Sequence, residues 1–107
     1  MKRPEQCTCI EDIRGEIDRI DQGIVGLLGE RACYVHEIVK YKTDKDSVVA
    51  KDRQVAMMAK RAEWAWENGL APELIQAIYR TLIEHNIRRE LDIMQHNREN
   101  AEGEHVS

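Results

Sequence analysis

Phenylalanine is absent from this chain of 107 residues, and only two tryptophans and three tyrosines supply its aromatics. Two prolines and six glycines are all that interrupt it, and 34% of its residues are charged. That is the composition of an all-α protein, and the length suits one small domain. No apolar run approaches the roughly eighteen residues of a membrane span. Met1-Lys2-Arg3-Pro4-Glu5 lacks an apolar signal core, so the expected location is the cytoplasm. Three cysteines, Cys7, Cys9 and Cys33, are an odd number that fits a reducing compartment. Cys7-Thr8-Cys9 would be half of a metal site, but no second cysteine pair or His-x-x-x-His accompanies it, so no metal is expected. A formal net charge of -4 argues against nucleic acid as the main partner. Nucleophile elbow, glycine-rich phosphate loop, paired catalytic carboxylates and cofactor motif are all missing. Any chemistry must therefore come from positioning and fixed charge, with no cofactor.

What is present is a helical seam with a cation on it. Ile10, Ile13, Ile17, Ile20, Ile24 and Leu27 step by three and four, and the next positions in that register are Arg31, Tyr34, Ile38 and Tyr41. A buried charge costs on the order of several kcal/mol unless an anion meets it. The simplest reading is that the anion facing Arg31 is a ligand.

Thr8-Cys9-Ile10-Glu11 reads as a capping box, with Thr8 at the cap. The first helix then runs from about Ile10 to Tyr41 or Lys42, roughly 50 Å. A domain of this size has a radius of gyration of only about 13 Å, so the helix bends or a second chain covers part of it. Residues 43 to 49 read as a polar break. A second helix is expected from about Ala50 to Asn68, stopped by Gly69, and a third from Pro72 to about Met94. Residues 97 to 107 read as a frayed, disordered polar tail, which sets the domain at 1 to 96.

Arg31 and Lys42 are eleven residues apart, close to three turns, and share a face about 16 Å apart. Two such side chains can grip a small dianion, and Arg53 reaches the same space if the second helix folds back. Arg14 lies roughly 25 Å from Arg31 along the axis. It cannot serve the same site in a straight helix, but in an antiparallel dimer it serves the partner's. Taken singly, Arg14 and Arg53 read equally as solvated surface arginines. On the third helix Leu82, Asn86, Glu90 and Met94 form one i, i+4 row with its polar members in the middle. Asn86 and Glu90 therefore point inward, or Glu90 is a surface acid beside Arg88 and Arg89. Trp64 and Trp66 read as packing residues.

Ile13-Arg14-Gly15-Glu16-Ile17-Asp18-Arg19-Ile20-Asp21, then Leu28-Gly29-Glu30-Arg31, Lys42 and Arg53, resemble the all-helical chorismate mutase superfamily. The opening Met1 to Thr8 and the stretch Arg61 to Leu70 resemble more narrowly the bacterial isochorismate-pyruvate lyases of salicylate and siderophore synthesis. The resemblance implies three helices per protomer, the first one long, in an intertwined homodimer with two sites and Arg14 supplied in trans. It implies a small dicarboxylate substrate, isochorismate or chorismate, whose carboxylates meet Arg31 and Arg14. Lys42 would bond a carboxylate and the ether oxygen of the enolpyruvyl group, Arg53 would help close the site, and the break at 43 to 49 would order over the ligand. The implied reaction is pericyclic: a lyase eliminates pyruvate from isochorismate to leave salicylate, and a mutase rearranges chorismate to prephenate. In both, negative charge develops on the ether oxygen.

Two positions depart from the lyase pattern. Glu90 stands where the lyases carry glutamine, and it must be protonated to donate to the ether oxygen. Gln54 stands where mutases carry a glutamate that binds the ring hydroxyl and where the lyases carry an apolar residue. The expected activity is isochorismate-pyruvate lyase with side mutase activity. The alternatives are a chorismate mutase, more distantly an enzyme acting on an amino-substituted chorismate, and, from another class, a non-catalytic helical dimerisation module.

Overall fold

Helix α1 (Ile10–Ile38) begins where the seam does, but its cap is not the expected one. Because the helix opens at Ile10, the acid one turn in is Asp12, not Glu11. The Thr8 amide and hydroxyl both donate to Asp12 Oδ2, each at 3.1 Å. Lys2 Nζ reaches the same oxygen at 3.2 Å, and the Lys2 amide donates to Glu16 Oε1 at 3.2 Å. The Thr8 amide first, then Lys2 and the Thr8 hydroxyl, pull the Asp12 carboxyl down to about 2. Ahead of this staple lies a short 3-10 turn, Pro4–Gln6.

The computed structural model describes residues 1–105. The chain divides into two compact units, Met1–His36 and the remainder from Glu37 onward. No residue of α1 is buried. Its seam isoleucines and Leu27 are about half exposed, between 47% at Ile13 and 66% at Leu27.

The second unit has its own core. Past Ile38 the backbone tightens into a 3-10 turn, Val39–Tyr41, so the first helix ends three residues short of its expected limit as α-helix. Val39 is buried, and the turn packs on the long helix α4 (Pro72–His105). The expected break at 43 to 49 instead holds a short helix, α2 (Lys45–Val49). Asp44 and Ser47 cap it reciprocally: the Ser47 amide donates to Asp44 Oδ1 at 2.8 Å, and the Asp44 amide donates to Ser47 Oγ at 3.3 Å. The Ser47 amide first, then the Ser47 side chain, holds the Asp44 carboxyl below its ordinary range. Val48, 3% exposed, lies on the one apolar stretch of an otherwise polar segment, and α2 packs on α4.

Ala50 follows in the left-handed region, φ 44° and ψ 60°, between α2 and α3 (Lys51–Glu67). An L-residue there costs about 1–2 kcal/mol. Met57 and Ala65 of α3 are buried, and α3 makes the main packing with α4. The chain leaves α3 through Gly69 at φ 72°. The Leu70 amide donates to the Ala65 carbonyl at 2.9 Å and the Gly69 amide to the Trp66 carbonyl at 3.2 Å, the two bonds of a Schellman stop.

Helix α4 opens at Pro72 as expected but does not end near Met94. It runs helical through His105, past the expected limit near Met94; residues 106 and 107, the end of the tail expected over 97 to 107, lie outside the described residues. The loss of apolar periodicity after Met94 removes a packing face, not the helix. Residues 95–102 are ordinary helix formers without proline, and Gln95 donates to Glu99 one turn on at 3.0 Å. Among the described residues there is no strand, and no helix is long and apolar enough to cross a membrane.

Candidate active site

The second unit builds a buried ion pair from residues 48 apart in sequence. Lys42 leaves the Val39–Tyr41 turn in extended conformation, its amide held by the Val39 carbonyl at 3.1 Å. Its Nζ lies 3.2 Å from Glu90 Oε1 and donates to it. Glu90 is 4% exposed, so of the two readings of its row the inward one holds, and the surface acid beside Arg88 and Arg89 does not. Asn86, one turn earlier on α4, is half-buried. A carboxylate withdrawn from water this far needs its cation: removing one partner of such a pair costs about 3–5 kcal/mol.

Gln54 lies in the first turns of α3, part-buried, and its Nε2 donates to the Val49 carbonyl at 2.6 Å. It also lines a groove of about 590 Å³ between α3 and α4, whose walls include Met58, Ile83 and Ile87 with Arg80 and Glu84. Ile83 and Ile87 were legible only as core positions of the third helix. The missed signal is their spacing: residues 76, 80, 83, 84 and 87 follow one another on one side of α4. Lys42, Asn86 and Glu90 are not part of that groove's lining.

Arg53, beside Gln54, is exposed. Arg14 and Arg31 belong to the first unit; Arg14 is exposed, and Arg31 is half-buried and not without a partner. Within one unit, then, Lys42 meets Glu90, Asn86 shares the Glu90 row, and Gln54 fronts the α3–α4 groove. Trp64 and Trp66 are not core residues: Trp66 is exposed, and Trp64 takes the Arg61 guanidinium over its ring at 4.8 Å, with the Tyr79 ring at 5.3 Å. Cys7, Cys9 and Cys33 are free thiols, and no His, Cys, Asp or Glu cluster suited to a metal occurs among the described residues.

The buried lysine–glutamate pair and the α3–α4 groove lie within residues 13–91, over which the chain matches the description of chorismate mutase type II. The chain belongs to the type II chorismate mutase family. All seven residues singled out for a site, from Arg14 to Glu90, fall inside that span. The isochorismate pyruvate lyase of Pseudomonas aeruginosa is 42% identical over 83 residues, covering 78% of this chain and 82% of that protein. Membership in this family and that relative make the chain an enzyme.

Proposed function

We propose that this chorismate mutase-type protein is an isochorismate-pyruvate lyase, with chorismate mutase activity as a side reaction of the same site. The observation that carries the reading is the buried Lys42–Glu90 pair, at 3.2 Å, in a chain 42% identical to a named lyase. In the lyase reaction the ether C–O bond breaks, a ring hydrogen passes to the enolpyruvyl methylene, and salicylate and pyruvate separate. Lys42 donates to a substrate carboxylate and to the ether oxygen as charge gathers there. To do so it turns from Glu90 toward the substrate. Arg31 and Arg14 bind the carboxylates, Arg53 closes the site, and Asn86 and Gln54 meet the polar ring substituents.

Arg14 comes from a second copy. The reading draws support from α1, whose seam from Ile10 to Leu27 is an apolar stripe with no buried residue. A homodimer that packs two such stripes removes them from water, at roughly 25 cal/mol per Å² of apolar surface. The enzyme acts in the cytoplasm on a small dicarboxylate.

Glu90 assists only when protonated, since a carboxylate repels the developing oxyanion. Glu90→Gln donates at every pH, so its kcat profile is flat between pH 5 and 8. A mutant profile that parallels the parent's removes Glu90 from the chemistry.

Gln54 and Glu90 favour the second reading, a chorismate mutase, because a polar residue at 54 can hold a ring hydroxyl. A side-by-side assay decides. Isochorismate is followed by salicylate fluorescence and chorismate by loss of its absorbance. Salicylate formation with the higher kcat/KM establishes the lyase. Prephenate without salicylate establishes the mutase. Neither activity across that pH range overturns both in favour of a non-catalytic dimer.

A further inference from the structure

The joint between α2 and α3 is held on both sides by one residue. Ala50 adopts the left-handed conformation at that joint. Its own amide donates back to the Asp46 carbonyl at 2.8 Å, closing α2. Its carbonyl accepts from the Gln54 amide at 3.0 Å, opening α3. The preceding carbonyl, Val49, has no helical donor to meet it once the chain turns at Ala50. Gln54 supplies one through Nε2, at 2.6 Å. Backbone and side chain of Gln54 thus grip successive carbonyls across the joint.

We infer that Gln54 is a latch, a positioning residue that holds α2 in place and thereby fixes the path by which the chain leaves Lys42. Only Thr43 and Asp44 separate Lys42 from α2. Loosening α2 loosens the anchor on the C-terminal side of the lysine, while Val39 anchors the other side. The latch also sets what Gln54 offers to a ligand. With one amide hydrogen committed to Val49, the side chain keeps its carbonyl oxygen as an acceptor and one N–H as a donor. That combination suits a ligand hydroxyl, which both donates and accepts. That last step rests on the lyase or mutase reading above; the latch itself does not.

Amide hydrogen exchange on the ligand-free protein tests the latch without any turnover. The reporters are the Val48 amide, bonded to the Asp44 carbonyl, and the Ala50 amide, bonded to that of Asp46; the Leu70 amide, bonded to Ala65, is the control. Gln54→Leu keeps the bulk and loses the donor. Gln54→Glu keeps an acceptor and, when ionised, has no donor. Both are expected to speed exchange at Val48 and Ala50 by about five- to tenfold, the worth of one hydrogen bond, and to leave Leu70 unchanged. Gln54→Lys, which brings a donor back, is expected to restore protection toward that of the parent. Parental exchange at Val48 and Ala50 in both donor-lacking variants overturns the latch and leaves Gln54 a groove residue only. Faster exchange at Leu70 as well overturns it in favour of general destabilisation. If the parent turns over neither isochorismate nor chorismate, the functional reading fails while these exchange rates still decide the latch.

Discussion

The two units of this chain treat apolar surface in opposite ways. The second, from Glu37 onward, buries Val39, Val48, Met57 and Ala65 and withdraws Glu90, paired with Lys42, from water. The first is nearly all α1, and it buries none of its seam. A helix gets most of its stability from packing an amphipathic face, so α1 as a bare stripe lacks the cover that the second unit supplies for itself. The difference teaches that the second unit is a finished fold, while α1 is left unfinished, its apolar stripe exposed. The residues proposed for a site divide along the same line: Lys42, Glu90, Asn86, Gln54 and Arg53 belong to the finished unit, and Arg14 and Arg31 to the unfinished one.

The largest effect is expected where the finished side is most committed. Lys42→Met strands Glu90, 4% exposed, without its cation, and should lower unfolding free energy by about 3–5 kcal/mol in urea titrations while abolishing turnover. Adding Glu90→Leu to that variant should recover the stability and none of the activity, which separates the pair's two roles. Stability unchanged in the single mutant would mean the pair does not hold the core. On the unfinished side, Arg31→Leu should cost about a hundredfold in kcat/KM if a carboxylate contact is lost. Activity retained with added stability would make α1 a purely structural stripe. Ile20→Asp should leave the second unit folded but weaken association by about 1.5–3 kcal/mol, read as a sedimentation shift toward monomer at micromolar concentration. A parent that already sediments as a monomer would refute the partner-supplied Arg14.

The smallest effect concerns the staple at the start of α1. Asp12 titrates at about 2 in the folded chain, below its usual value near 3.8, so its contribution is present above about pH 4 and is lost as pH falls toward 2. Asp12→Asn should remove that difference. Helicity measured across this window should then decline less steeply in the mutant than in the parent, and identical acid profiles would discount the staple.

Much of this was written locally in the sequence. Pro72 and Gly69 fixed two helix ends because their own backbone preferences decide those positions, and the seam from Ile10 located the start of α1 but not its end at Ile38. The polar interruption at Asn86 and Glu90 in an apolar row left an inward acid and a surface acid both open, and the burial of Glu90 decides for the inward one. Other features depend on partners that no local pattern names. Helix α2 forms within a polar stretch because Asp44 and Ser47 cap each other and one valine finds α4. The Lys2–Asp12 staple follows from a one-residue shift of the cap, too fine for a motif to resolve. The helix beyond Met94 was hidden because periodicity measures packing, and a helix needs no packed face to continue for a few turns.

The Schellman stop at Gly69 also sets a timetable. It joins α3 to α4 through a few residues, so the second unit's main contacts close a helical hairpin of low contact order, the kind that forms in microseconds to milliseconds. The stripe on α1 has no such neighbour in sequence. In a newly made chain the α3–α4 hairpin therefore closes early, and the Lys42–Glu90 contact, between residues 48 apart, follows once the segment from Val39 to Val49 packs on α4.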